Sequence, residues 1–265
     1  MSELKYYTFV YTAALVLLLA FNGRTFSQTE VFEDGEELYY EVYYSFINIG
    51  WTKFYTERVS GKSNYFKTYA TLKSNEALPF VNVNYEFISE IEVTGGRVMP
   101  HKFTAYQYKD NKKLTITHDF HYDSNYIYIK KIGFDGNTEI DKKIYTSTLF
   151  QDGLSILYYA RYYANKNESR NVPVIMHVDT ALMQINFSNK KTEVSIGEVD
   201  YDISSLFLDG FSYFKAVFGL TGEFSGWFSN DAARIPLKAK LEVEIGSITL
   251  ELKWWKRGSW SPPKY

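Results

Sequence analysis

Histidines are the first residues whose type and spacing suggest chemistry. The chain has four, His101, His118, His121 and His177, and His118-Asp119-Phe120-His121 has the residue types of a metal motif. The spacing argues against one. On a strand, side chains three apart point to opposite faces. His118 would face an apolar interior and His121 solvent, so one ion cannot join them. The expectation is a hydrogen-bonded core histidine and a surface histidine. Paired carboxylates of the kind glycosidases use occur as Glu37 with Glu41 and Glu90 with Glu92, but alternation puts both pairs on wet strand faces. Ser155, in Gly153-Leu154-Ser155, stands at a helix start with no base near it in sequence. There is no Gly-x-Ser-x-Gly elbow, and no His-Glu-x-x-His pair, calcium loop or phosphate loop. With no cysteine, thiolate zinc sites, cysteine nucleophiles and disulfide scaffolds are excluded. No catalytic residue, metal ligand or cofactor is assigned.

What is left is the chemistry of binding. Arg161 interrupts the apolar face of a predicted helix, and a buried guanidinium needs a partner. A carboxylate from Gly226-Trp227-Phe228-Ser229-Asn230-Asp231 would serve, or Asp231 and Arg234 would pair locally around their turn. Such a pair would pin the helix to the sheet as a structural element or contact a ligand; on the second reading Tyr158, Arg161, Trp227, Asp231 and Arg234 are the candidate ligand-binding set. Aromatics are 18% of the 265 residues. Tyr39, Tyr43, Tyr55, Tyr65 and Tyr69 fall on faces that alternation assigns to water, where they would stack on a ligand or serve as cross-strand partners. The tail Trp254-Trp255-Lys256-Arg257-Gly258-Ser259-Trp260-Ser261-Pro262-Pro263-Lys264-Tyr265 is basic and aromatic. It would touch a headgroup layer or a partner, or tuck over the rim of the fold.

The elements that must position these residues are mostly strands. Leu38, Tyr40, Val42, Tyr44 and Phe46 alternate with Glu37, Glu41 and Ser45. Leu114, Ile116, His118, Phe120 and Tyr122 alternate with Thr115, Thr117, Asp119 and His121. Ile235, Leu237, Ala239, Leu241, Val243 and Ile245 alternate with Lys238, Lys240, Glu242 and Glu244. Ile248, Leu250, Leu252 and Trp254 resume the pattern after Gly246. This is the signature of antiparallel sheet with one buried face. Turn signals such as Ser60-Gly61-Lys62-Ser63-Asn64, Gly95-Gly96 and Asp135-Gly136-Asn137 recur at strand-length spacing. About thirteen strands are predicted, eight before and five after one helix near 153–165, for which Asp152 is the N-cap. Leu154, Leu157, Tyr158, Arg161 and Ala164 share a helix face. A sheet that wide curls or splits. The expected fold is all-β and mainly antiparallel, a rolled or partly closed β-barrel with one central helix, as a single domain over 28–265.

Ahead of it, Phe9 to Phe21 is apolar except for Thr12. As a helix this run spans about 20 Å, short of the ~30 Å hydrocarbon core. Lys5 precedes it and Thr25-Phe26-Ser27 follows, which fits a signal peptide over 1–27 cleaved before Gln28. No later stretch is long and apolar enough for a transmembrane helix. The net charge of -2 gives no bulk attraction to nucleic acid.

Three groups of residues also carry a family resemblance. They are Phe32-Glu33-Asp34-Gly35-Glu36-Glu37-Leu38-Tyr39-Tyr40 with Ile49-Gly50; Gln151-Asp152-Gly153-Leu154-Ser155-Ile156-Leu157-Tyr158-Tyr159-Ala160-Arg161; and Gly226-Trp227-Phe228-Ser229-Asn230-Asp231 with Arg234-Ile235-Pro236 and Gly246-Ser247-Ile248-Thr249-Leu250-Glu251-Leu252. In this order they resemble the domain of unknown function 3108 family of exported bacterial proteins. The resemblance implies a β-rich fold and export, with the periplasm as the location, and no chemistry. The terminal pattern is also similar to periplasmic lipoprotein carriers, half-open barrels whose helices plug an apolar cavity. The expected function is non-enzymatic binding, at the cell envelope, of a lipid or other amphipathic small molecule or of an envelope protein. The alternatives are a polysaccharide-active enzyme and a structural or assembly protein of the envelope.

Overall fold

The computed structural model of the chain describes residues 30–78, 82–213, 222–243 and 246–265. The segment expected to direct export, 1–27, lies outside the described residues, as do Glu244 and Ile245 of the strand pattern. The strands are β1 (Glu36–Tyr44), β2 (Ile47–Arg58), β3 (Tyr65–Ser74), β4 (Asn84–Thr94), β5 (Arg97–Lys109), β6 (Lys112–His121), β7 (Tyr126–Ile132) and β8 (Thr138–Tyr145), followed by the helix α1 (Ser155–Tyr163). After it come β9 (Asn167–Met176), β10 (Asp179–Val194), β11 (Ile203–Ser212), β12 (Gly222–Ser229), β13 (Pro236–Glu242) and β14 (Ser247–Lys256). Among the described residues eight strands precede the helix, as the alternation predicts, and six rather than five follow it.

All fourteen belong to one antiparallel sheet, in the order β8-β7-β6-β5-β4-β3-β2-β1-β14-β13-β12-β11-β10-β9. Among the described residues, strands adjacent in sequence are hairpin neighbours except β8 and β9, which α1 separates, and the single non-local strand pairing joins β1 to β14 at the centre. The sheet does not close. Its edges are β8 and β9, and it curls around α1 instead. The largest core cluster therefore unites both halves of the sheet: Phe66, Ile91, Phe103, Ile116 and Ile129 from the first, Val174, Ile185, Leu206 and Phe228 from the second, with Tyr158, Tyr159, Tyr162 and Tyr163 of α1 between them. A second cluster gathers Leu38, Tyr40, Ile203, Leu237 and Leu252.

Because sheet surrounds it, α1 is buried on nearly all sides rather than along one face; only Ile156 and Leu157 are half-buried. Asp152 starts it as expected. The Asp152 carbonyl accepts from the Ile156 N–H at 3.3 Å. Its Oδ1 accepts from the N–H groups of Leu154 (2.8 Å) and Ser155 (2.7 Å), and the Ser155 hydroxyl accepts from the Asp152 N–H at 2.8 Å. These satisfy N–H groups that the first turn leaves without helical partners.

Strand faces follow the alternation except at two places. Phe46, expected inside, is 88% exposed, because β1 ends at Tyr44 and Phe46 sits in the hairpin beyond Ser45, whose φ is 53°. Trp254, also expected inside, is 48% exposed. Tyr39 pairs with Trp254 while Tyr40 pairs with Leu252, so Lys253 is an extra residue. Such a bulge turns the following side chain to the other face. Trp254 faces out and Trp255 packs on the second cluster.

Gly50 shows how closely β2 and β3 approach: a Cβ there would lie 2.3 Å from the Lys73 carbonyl oxygen. Gly50→Ala should destabilise the protein by about 1–3 kcal/mol, the range for overpacking, as read by urea unfolding. Unchanged stability would show that the two strands separate freely.

Candidate functional site

The helix and the sheet meet first through charge. Arg161 lies three residues after Tyr158 on the same face of α1, and burial alone would oppose its charge. It is held by Glu36, with Nη1 to Oε1 at 2.7 Å and Nη2 to Oε2 at 3.0 Å, a bidentate pair with both side chains 1% exposed. Arg161 Nη2 also donates to the Ala233 carbonyl at 3.1 Å. Arg257 reaches the same carboxylate from the tail, donating to Glu36 Oε2 and to the Glu30 carbonyl. Desolvation lowers the Arg161 pKa, but the Glu36 charge and its hydrogen bonds outweigh it, so the net direction is up. The expected partner from 226–231 is thus corrected to Glu36. Asp231 is spent on its own turn: Oδ1 accepts from the Ser229 hydroxyl and from the N–H groups of Ala233 and Arg234, and Oδ2 from Trp260 Nε1 at 2.7 Å.

The other expected ligand-facing residues are also occupied. Tyr158 shares a hydrogen bond of 2.7 Å with Thr56 and stacks on Phe32. The Arg234 guanidinium donates to the Tyr162 carbonyl at 3.0 Å and to Asn165 Oδ1 at 2.9 Å rather than to Asp231. Trp227 is half-buried and edge-on to Phe207 at 5.4 Å, on the second cluster. The structure brings Tyr158, Arg161, Asp231 and Arg234 around one end of α1. Trp227 stands apart. The tail folds back in this region. Trp255 meets Trp260 at 5.6 Å, and Ser204 N–H donates to the Pro263 carbonyl.

The carboxylate pairs lie on the outer faces, as expected. Glu37 binds Lys53 at 2.5 Å, Glu41 accepts from Tyr43, Glu90 from Tyr65, and Glu92 lies 2.9 Å from His101 Nε2. The outer tyrosines are cross-strand partners: Tyr55 packs on Tyr69 at 5.7 Å, and Tyr69 donates to Glu57 at 2.7 Å. Burial, then Glu90, pushes the Tyr65 hydroxyl up to about 12.

The unclosed seam is bridged at separate points. Gln151 pairs by backbone with Val174 of β9, while its Nε2 donates to the Val98 carbonyl of β5 at 2.9 Å. Ser89 of β4 donates to Asp152 Oδ2 at 2.6 Å. His118 of β6 lies with Nε2 2.6 Å from the His177 carbonyl in the β9–β10 turn. Facing a carbonyl, Nε2 must carry the proton, which leaves Nδ1 bare, buried and without a partner. His118 is the expected core histidine, and His121 is exposed on the opposite face. Burial pushes the His118 imidazole down to about 4. It pushes the Asp152 carboxyl up to about 6, against the hydrogen bonds that favour its charge.

Below these bridges the concavity is not filled. A cavity of about 210 Å³ is lined by Phe87, Phe103, Ala105, Leu114 and Ile116 on one side and Ile175 and Met176 on the other, with Gly153 at the start of the helix as its roof. Gln107, Lys131 and His177 supply its polar groups. Among the described residues no group of three or more metal-ligating side chains occurs. Sequence reading missed these lining residues, since they look like ordinary core. It missed Glu36 because the strand pattern was begun at Leu38. One step of two further back puts a carboxylate on the apolar face.

A family model described as protein of unknown function (DUF3108) matches residues 39–253. No curated protein matches the chain. Among solved structures, the fold is similar to a crystal structure described as a beta-barrel-like protein of domain of unknown function DUF1849 from Brucella abortus. The TM-score is 0.56 at 7% identity, covering 85% of this chain and 98% of that one. At that identity the likeness is one of fold.

Two outcomes are expected from these groups. Glu36→Gln leaves the buried Arg161 guanidinium without its counter-charge and Arg257 with Glu33 alone, at 3.2 Å, and should cost about 3–5 kcal/mol. Arg161→Met leaves Glu36 paired with Arg257 and should cost less. The reverse order in denaturant titrations would displace Glu36 from the centre of the cluster. The pH dependence has two opposing parts. Burial lowers the His118 imidazole from 6.5 to about 4, so its contribution is lost as pH falls through that window. Burial raises the Asp152 carboxyl from 3.8 to about 6, so its contribution grows as pH falls through that window. Between pH 7 and 4.5, His118→Gln should lose roughly 2–3 kcal/mol less stability than the wild type, and Asp152→Asn should lose more. Parallel unfolding curves for all three proteins would refute both assignments.

Proposed function

The chain belongs to the DUF3108 family, and from that starting point we propose that it is an exported envelope protein that binds a small apolar or amphipathic molecule without transforming it. The observation that carries this reading is the cavity between β4–β6 and β9. It is walled by aromatic and aliphatic side chains from both halves of the sheet. Its volume exceeds the ~150 Å³ of an apolar protein cavity that takes up benzene and falls below the ~300–1,000 Å³ of drug-sized sites. A ring or the end of an alkyl chain matches it. The curl of the sheet supports the reading as well: α1 occupies one part of the concavity and stops at Asp152, leaving the part below Gly153 to a guest. The apolar run Phe9 to Phe21 supports export. Among the described residues no helix is long and apolar enough to cross a membrane.

The test is native mass spectrometry and solvent extraction of the purified protein, beside Ala105→Trp, which places an indole in the cavity. The expected result is a bound small molecule on the wild type and its absence from the variant. If nothing co-purifies and an apolar fluorescent probe binds the two proteins equally, the reading fails.

A further inference from the structure

Resting on that reading, we propose that the ligand is an amphiphile with one acidic head, a monocarboxylate with a medium-length alkyl chain, held head-outward at Lys131. The argument starts from strand periodicity. On β7 the inward positions are Ile127, Ile129 and Lys131; the first two are core, and the third brings an ammonium group onto the same face. That lysine lines the cavity, where most of the wall is Tyr85, Phe87, Phe103, Ala105, Leu114 and Ile116. An amine on an apolar wall needs a compensating negative charge. Lys131 has one in Glu139, at 2.7 Å, whose side chain is 44% exposed.

Glu139 therefore stands on the solvent side of Lys131, and the cavity on the other. An exposed ion pair contributes little, so a carboxylate arriving from the cavity side can share or replace Glu139 at small cost. The replaced glutamate returns to water. The other two polar groups of the lining suit the same head. Gln107 offers amide N–H donors. The His177 imidazole, exposed on a turn with φ of 53°, is driven toward its neutral form by partial desolvation and then by the Lys131 charge, against the opposite pull of Asp179. A neutral imidazole beside an ammonium group adds a hydrogen-bond donor without a second charge. An uncharged head would leave the Lys131–Glu139 pair as it is and gain nothing from it. A cationic head would meet Lys131 with repulsion. The alkyl chain is then directed between Phe87, Phe103 and Met176, toward the roof at Gly153.

The probes are octanoate, octanol and octylamine, matched in chain length and measured by calorimetry on the full chain. Octanoate is expected to bind at least tenfold more tightly than octanol, with octylamine weakest. Lys131→Met should remove the preference for octanoate over octanol, and a preference that survives the substitution overturns the role of Lys131. Glu139→Gln alters only the solvent side and should tighten octanoate severalfold. Equal binding of octanoate and octanol by the wild type, or no response of octanoate to Glu139→Gln, overturns the acidic head but leaves the apolar site standing. Binding of none of the three overturns the site itself.

Discussion

A carboxylate taken out of water must be matched, and Glu36 is the carboxylate around which this molecule is matched. One strand supplies it, the helix supplies Arg161, and the tail supplies Arg257. A buried ion pair is weak as a source of stability, because desolvation opposes the attraction. Its effect is on geometry. A bidentate guanidinium pair accepts one approach and one distance, so Arg161 fixes how far α1 sits along the concavity and which way it is turned. Replacing the trio with apolar side chains of similar size would keep the burial and release that constraint.

The position of α1 in turn sets where empty space remains. The helix is capped at Asp152, whose carboxylate is tied to Ser89 of β4, and Gln151 just before it is tied to β5 and β9. These contacts hold the start of the helix across the seam. Above them, the tyrosines of α1 fill the curl. Beneath them side chains project from the strands, and the walls from β4–β6 and from β9 leave the space between them unfilled. The cavity is thus a consequence of a short helix in a long trough. The three sequence segments that carry the family resemblance all arrive here: Glu36 from the first, Gln151 to Arg161 from the second, and the Asp231 to Pro236 turn from the third. Even Pro236 contributes, its carbonyl accepting from the Tyr40 hydroxyl at 2.7 Å.

Much of this was legible from periodicity. Alternation located the strands, including the inward His118, because a half-buried antiparallel sheet imposes period two on side-chain type. The helix was legible from Asp152 and the spacing that follows. Pairing was legible only where hairpins enforce it. The β1–β14 partnership has no local signature, and the bulge at Lys253 that turns Trp254 outward depends on that partner. Arg161 advertised its need for a counter-charge, but the choice of Glu36 over Asp231 rests on which strands are neighbours. Lys131 was missed for a related reason: an inward lysine near a strand end looks like an ordinary surface residue until the opposite wall is known.

The central pairing of the first strand with the last has a consequence for the order of assembly. Strands β1 to β8 can zip up hairpin by hairpin, since each contact is local. Glu36 cannot be settled in this way. Arg161 follows it by 125 positions and Arg257 by 221. Long-range contacts of this kind form slowly, because the chain between them must first be ordered. Until β14 arrives, β1 keeps a bare edge of unpaired N–H and C=O groups at what will become the middle of the sheet, the kind of edge that recruits strands from other molecules. A chain interrupted before β14 therefore carries its stickiest surface at its most central strand. The same vacancy can be filled by β14 from a second copy, so domain exchange through this strand is the characteristic error open to the fold.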